Sequence, residues 1–218
     1  MSQVNPPADR TRPSTPAQAW SALREGNARF AGGASSSADT SPDRRAELAA
    51  GQRPFALVFG CSDSRVAAEL VFDQGLGDLF VVRTAGQVID SGVLGSVEFG
   101  IGVLGIPLVV VLGHEDCGAV GATVQAMDDG VMPGGYVRDV VERVMPSVLS
   151  ARRAGLTSVE GILGEHVRHT ARLLAERSVV VADAVASGRC AVVGATYGLL
   201  DGDVRLVDVV GGAVGDPA

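Results

Sequence analysis

Apolar residues in this chain follow two periods. Apolar runs at residues 55–60, 79–83, 107–113 and 190–197 are short and contain valine, which predicts buried strands. Between them the apolar positions recur at helical spacing. Thr15-Pro16-Ala17-Gln18 opens a first helix, with threonine at the N-cap, proline at the first helical position and glutamine reaching back, and it runs to residue 30 before Gly32 and Gly33. Ser41-Pro42-Asp43 caps a second that ends at Leu48, ahead of Gly51. Further helices are expected over 67–72, 91–104, 118–127 and 137–153, and then one long helix over 158–186 behind the capping box Thr157-Ser158-Val159-Glu160. The last run, 204–210, alternates and follows a short turn at Gly202, as an antiparallel edge strand does. The pattern predicts an α/β fold: a mostly parallel sheet of four strands plus an antiparallel edge strand, flanked by helices.

The segment 91–104 stands apart. Its one charge is Glu98, and glycines occupy 92, 95, 100 and 102, so a helix there is apolar nearly all round and needs cover on every side. That points to a subunit interface. With 218 residues and no internal linker, the chain is long enough for one well-buried core. The expected organisation is a disordered N-terminal tail over 1–15 and a single domain over 16–218. Hydrophobic residues make up 46% and aromatics 4%, so that core is aliphatic. A net charge of −7 disfavours nucleic acid or an anionic membrane as a partner. The tail has no apolar stretch like that of a signal peptide, and the longest uncharged apolar stretch, 99–113, is too short to span a bilayer and is broken by Pro107.

Two of the strands end alike. Leu57-Val58-Phe59-Gly60 runs into Cys61-Ser62-Asp63-Ser64-Arg65, and Leu108-Val109-Val110-Val111-Leu112-Gly113 runs into His114-Glu115-Asp116-Cys117-Gly118. Both read as apolar strand, glycine, ligand-type residue, any residue, aspartate. Parallel strands of one sheet open their carboxyl ends on the same edge, where open α/β sheets place their sites. Cys61, His114 and Cys117 then converge, and two thiolates with an imidazole form a borderline-soft set that suits Zn²⁺. A fourth place remains for water or Asp63. Only three cysteines occur, too few to pair completely, and two of them sit in ligand positions, which favours a reducing cytoplasm.

Cys-Ser-Asp-Ser-Arg after one strand, with His-x-x-Cys-Gly after a later one, resembles the β-class carbonic anhydrases from about Trp20 onward. The resemblance implies Zn²⁺ on Cys61, His114 and Cys117, and reversible hydration of CO2 to bicarbonate and a proton by zinc hydroxide, in a homodimer or a dimer of dimers. Asp63 orients the hydroxide and Arg65 holds Asp63 through a bidentate contact. In a closed state, Asp63 itself binds the zinc. Two thiolates donate more negative charge than two imidazoles and weaken the metal as a Lewis acid, so something must offset them. Gln52 and Phe80 resemble substrate-pocket residues that the family contributes across a dimer interface, and the Gly118 N–H is placed to hold a bicarbonate oxygen. Phe99 replaces a tyrosine common in relatives, and with Phe80 and Val66 it supplies a dry pocket for CO2. Arg83 and Tyr197 resemble two residues of a second, inhibitory bicarbonate site, with Val58 where that subgroup has tryptophan.

Three further features are read from the residues alone. Cys190, inside an aliphatic strand, is a buried structural thiol. His166 and His169 are read as surface residues, and Glu115 with Asp116 as support for His114. Two rival functions share the site: hydrolysis of CS2 or COS, whose linear molecules fit the same pocket, and non-catalytic zinc binding or bicarbonate sensing.

Overall fold

The apolar runs form strands β1 (Ala56–Cys61), β2 (Leu79–Thr84), β3 (Leu108–His114), β4 (Ala191–Tyr197) and β5 (Val204–Val210). They make one five-stranded sheet in the order β2-β1-β3-β4-β5, in a computed structural model that describes residues 12–35, 39–212 and 214. All neighbours run parallel except β4 and β5, which are antiparallel with a bulge at Gly194/Ala195. This is the predicted sheet, with β1 and β3 central and buried along their whole length. The expected tail falls mainly on residues 1–11, which lie outside the described residues.

Successive strand residues face opposite sides, so the sheet has two cores. Leu57, Phe59, Val109 and Val111 point to one side, under α4 (Ser91–Gly102), α5 (Gly118–Asp129), α6 (Val137–Arg153), α7 (Val159–Arg177) and α8 (Val179–Ala186). Ala56, Val58, Leu108, Val110 and Leu112 point to the other, where Trp20 and Leu23 of α1 (Pro16–Ala31) and Val71 of α3 (Ala68–Val71) cover them together with Phe72. Full burial of each such aliphatic side chain contributes about 1.5–3 kcal/mol. The short α2 (Pro42–Leu48) buries no residue.

Helix starts follow the sequence closely. Thr15 Oγ1 accepts from the Gln18 N–H at 3.3 Å, while Gln18 Oε1 reaches past the cap to the Ser14 N–H at 3.1 Å. The long helix expected over 158–186 is instead two. Ser178 between α7 and α8 has extended backbone, φ −118° and ψ 116°. Its hydroxyl oxygen accepts from the Val181 N–H at 3.2 Å and caps α8, and the same hydroxyl donates to Glu98 Oε1 of α4 at 2.7 Å. Ser178→Ala removes both bonds and leaves a mostly buried carboxylate acceptor unmatched. We expect a loss of about 1–2 kcal/mol, read as a lower urea midpoint at unchanged slope.

Among the described residues no helix is long and apolar enough to cross a membrane.

Candidate metal centre

Cys61 closes β1, His114 closes β3, and Cys117 is the N-cap of α5. Because β1 and β3 are parallel neighbours, their last residues emerge on one edge of the sheet. The donor atoms of the three residues lie within 4.8 Å of one another, and all three are buried. His114 Nδ1 contacts the Glu115 carbonyl at 2.7 Å. A carbonyl only accepts, so Nδ1 carries the proton and Nε2 presents a bare lone pair. That Nε2 is buried with no hydrogen-bond partner, and both cysteines are free thiols. An orphaned imidazole nitrogen facing two reduced sulfurs is costly unless a cation fills the space. Two sulfurs and one nitrogen are the ligand set of a zinc site with one open position.

The electrostatics agree. Contact with Cys117 pushes the Cys61 thiol well down, helped by His114 and by the Gly86 N–H at 3.3 Å from its sulfur. The same contact, together with burial, pushes Cys117 up. On its own the pair therefore shares one proton, and a divalent cation takes its place and leaves two thiolates. Burial alone lowers His114, but the Cys61 sulfur and the Glu115 carbonyl outweigh it and the net direction is up, so without a metal a proton competes for the Nε2 lone pair and must leave when the metal enters.

Asp63 stands beside this cluster, with Oδ2 3.8 Å from His114 Nε2. Three donations from Arg65 hold it: backbone N and Nε to Oδ1, both at 2.9 Å, and a terminal guanidinium nitrogen to Oδ2 at 2.7 Å. These bonds keep its carboxyl well below the usual carboxylate range. Arg65 also reaches the Asp116 carbonyl at 3.3 Å, tying the β1 turn to the loop of the other two ligands. Asp116 itself has φ 51°, a left-handed conformation that aspartate tolerates better than most residues. Glu115 anchors that loop from the far side: its N–H donates to the Tyr197 carbonyl at 3.0 Å, and its carboxylate accepts from the Leu199 N–H at 3.0 Å.

A second arginine supports the β1 turn. Arg83 Nε donates to the Cys61 carbonyl at 2.8 Å and a terminal nitrogen to the Asp63 carbonyl at 2.6 Å. One guanidinium thus fixes the residues on either side of Ser62. Arg83→Met keeps the aliphatic stem and removes both bonds, so we expect metal affinity to fall about 10-fold, measured by competition with a chelating dye.

The remaining sequence-predicted residues divide into groups. Gly118 begins α5 directly after Cys117, at the metal centre. Phe80 pairs with Leu57, near the amino end of the sheet, and its ring lies 6.2 Å from that of Phe99. Gln52 is exposed and precedes β1. β1, which separates it from the Cys61 of its own chain, spans about 17 Å at about 3.3 Å per residue. Val66 is on the opposite side of the sheet, packed with Trp20 and Phe72, and is not brought together with Phe80 and Phe99. A cavity of about 220 Å³ opens beside Cys117, lined by Glu115, Asp116, Val120, Val159, Glu160 and Leu163, with neither of those aromatics in its wall.

Cys190 is buried as expected, and burial pushes its thiol up to about 12. His166 corrects the reading of a surface residue: it is 2% exposed and bonded on both ring nitrogens, while His169 is half-buried. The signal was present in the sequence, since His166 shares a helical face with Ile162, Leu163, Thr170 and Leu174.

Comparison with known proteins agrees with this geometry. The family model described as carbonic anhydrase matches residues 56–204, a span that contains all three ligands. The chain is 57% identical over 198 residues to carbonic anhydrase 2 of Mycobacterium tuberculosis, covering 91% of this chain and 96% of that one. This chain belongs to the β-carbonic anhydrase family. Among solved structures it resembles the β-carbonic anhydrase CafA of Aspergillus fumigatus, at 26% identity and TM-score 0.67, over 91% of this chain and 92% of that one. It also shares the fold of two tetrameric β-carbonic anhydrases from Sordaria macrospora, at 21% identity and TM-score 0.69, over 84% of this chain and 93% of that chain. As in other β-carbonic anhydrases, zinc is the metal that the Cys61, His114 and Cys117 donors suit.

Proposed function

We propose that this chain is a zinc-dependent lyase that interconverts CO2 and water with bicarbonate and a proton at the Cys61–His114–Cys117 centre. The observation that carries this reading is a carboxylate, Asp63, held by Arg65 at the rim of a buried Cys-His-Cys cluster. Zinc bound there supplies the Lewis acidity that turns water into a nucleophile at working pH. Asp63 accepts a hydrogen bond from the attacking oxygen and turns that oxygen's free lone pair toward the carbon of CO2. Arg65 keeps the carboxylate charged, aimed and off the metal. In a closed state the carboxylate would leave Arg65 and bind the metal itself. The Gly118 N–H, at the positive end of α5, holds a bicarbonate oxygen.

The pocket for CO2 is shared between copies. Gln52, Phe80 and Phe99 lie far from the Cys61 of their own chain, so they serve the site of a neighbour, and Val66 seats the turn that follows Arg65. The α4 helix supports this, because Phe99 and nearby Val103 are exposed in the isolated chain. The working unit is a homodimer or a dimer of dimers of one domain, residues 16–218. Two reduced sulfurs at the centre fit a cytoplasmic location.

Stopped-flow CO2 hydration tests the activity. Turnover is expected with zinc, none after chelation, and recovery on adding zinc back. Equal rates with and without metal, or no hydration by the zinc-loaded protein, sink it. Faster steady-state turnover of CS2 than of CO2 moves the reading to the hydrolase.

A further inference from the structure

Behind the Cys61 sulfur lies a buried polar chain that the chemistry above does not use. The Gly86 N–H donates to Cys61 Sγ at 3.3 Å. The Gly86 carbonyl, on the other side of the same Cα, meets His166 Nε2 at 2.6 Å. His166 Nδ1 meets the Ser147 hydroxyl at 2.9 Å. His166 and Ser147 are 2% and 0% exposed, on α7 and α6. The proton positions follow from valence. The Gly86 carbonyl only accepts, so Nε2 carries hydrogen, Nδ1 is bare, and the serine hydroxyl donates to it. Burial lowers the His166 pKa, which keeps the ring neutral in that one tautomer.

Gly86 needs such a hold. Its φ is +63°, and a Cβ there would sit 2.6 Å from the Ala119 Cβ. A glycine enters and leaves this left-handed region freely, so its own backbone does not keep it there, while Gln87 follows at φ 49°, a conformation that a residue with a side chain holds only when the surroundings over-determine it. One restraint is Gln87 Nε2 donating to the Leu112 carbonyl at 2.8 Å, and the other is His166. The two bonds of Gly86 belong to neighbouring peptide units, so the coupling from His166 to the sulfur is one of position.

We propose that His166, fixed by Ser147, is a positioning residue for the metal centre: it locks Gly86 so that its N–H stays on the Cys61 sulfur and draws charge from that ligand. A hydrogen bond to a thiolate makes it a poorer donor. This offsets the excess charge that two sulfur ligands place on the metal. The inference rests on the zinc site of the proposed function and on nothing about its substrate.

The test uses the full-length protein loaded with cadmium or cobalt(II). In wild type, the Gly86 amide proton should show scalar coupling to the NMR-active cadmium isotope through the N–H···S bond. His166→Leu should abolish that coupling and shift the thiolate-to-cobalt charge-transfer band to lower energy. Because the loop that holds the Cys61 sulfur in place is then loose, metal affinity should also fall about 10- to 100-fold in competition with a chelating dye, the lost positioning outweighing the stronger sulfur donor. His166→Gln, whose amide can donate to the same carbonyl, should restore coupling and band position. If His166→Leu does not fold, Ser147→Ala decides, with a weakened coupling expected. The inference is overturned by a wild-type protein that binds cadmium without coupling to Gly86, or by folded variants with wild-type coupling, band and affinity. Wild type that binds no metal fails the zinc site itself, a separate and recognisable result.

Discussion

Asp63→Ala should lower kcat/KM for CO2 hydration by roughly 10²–10⁴-fold, the range for loss of one positioned proton acceptor, while the protein still holds one zinc per chain. The two halves of this result follow from separate observations. Asp63 is not among the three buried donors that converge at Cys61, so removing it leaves the metal's grip intact. It is, however, the carboxylate at that rim held by three donations from one arginine, and the short alanine side chain leaves nothing to receive a hydrogen bond from an attacking water. Stopped-flow rates and metal analysis on the same sample check both. An empty metal site in the variant makes Asp63 a ligand, and near wild-type turnover removes it from the chemistry. The pH dependence has a definite sign. Arg65 depresses the folded-state pKa of Asp63, so the stabilisation from this pair is present above the unfolded pKa and is lost only as pH falls through the lower folded value. Near neutrality Asp63 is already ionised, and any acid limb of activity there reports another group.

Removing the metal should have the second large effect. With a chelator, turnover stops and the protein loses stability, because the ion binds the folded chain alone. At free zinc a hundredfold above Kd, binding adds about 2.7 kcal/mol, which for a chain of this size corresponds to roughly 5–10 °C in Tm. Cys117→Ala should reproduce the chelated behaviour without a chelator. Since Cys117 is pushed up in the metal-free pair, its proton must leave when the metal enters, so affinity falls as pH drops. Differential scanning calorimetry with and without zinc, with metal retention followed on dialysis at descending pH, checks the pair of claims. An unchanged Tm would mean that the three donors close on nothing in solution.

How far the sequence leads depends on what kind of interaction fixes each feature. The strands were legible because runs such as Leu108 to Gly113 are too short and too β-branched to be anything else. The ligands were legible because each follows a strand end, where the fold leaves only one edge open. Ser178 was hidden, since apolar spacing continues through it into Val179–Ala186, and its contact with Glu98 comes from a helix far away in sequence. Arg83 was hidden for a related reason: its grip on the Cys61 and Asp63 carbonyls depends on the register that sets Cys61 opposite Thr84. The burial of His166 is legible in the sequence, but its partners are not. Its spacing put it on the buried face of α7, and burial of an imidazole requires partners that the sequence alone does not reveal.

Gln52 and Phe80 sit at the end of the sheet remote from their own Cys61, and on the proposed shared pocket this separates two ways of breaking one enzyme. A chain with a dead centre can still lend sound walls, and a chain with ruined walls still owns a sound centre. Mixed after dissociation and allowed to reassociate, two individually inactive preparations, Asp63→Ala and a Gln52→Ala, Phe80→Ala double variant, should regain up to about a quarter of wild-type rate from the hybrids that random pairing yields.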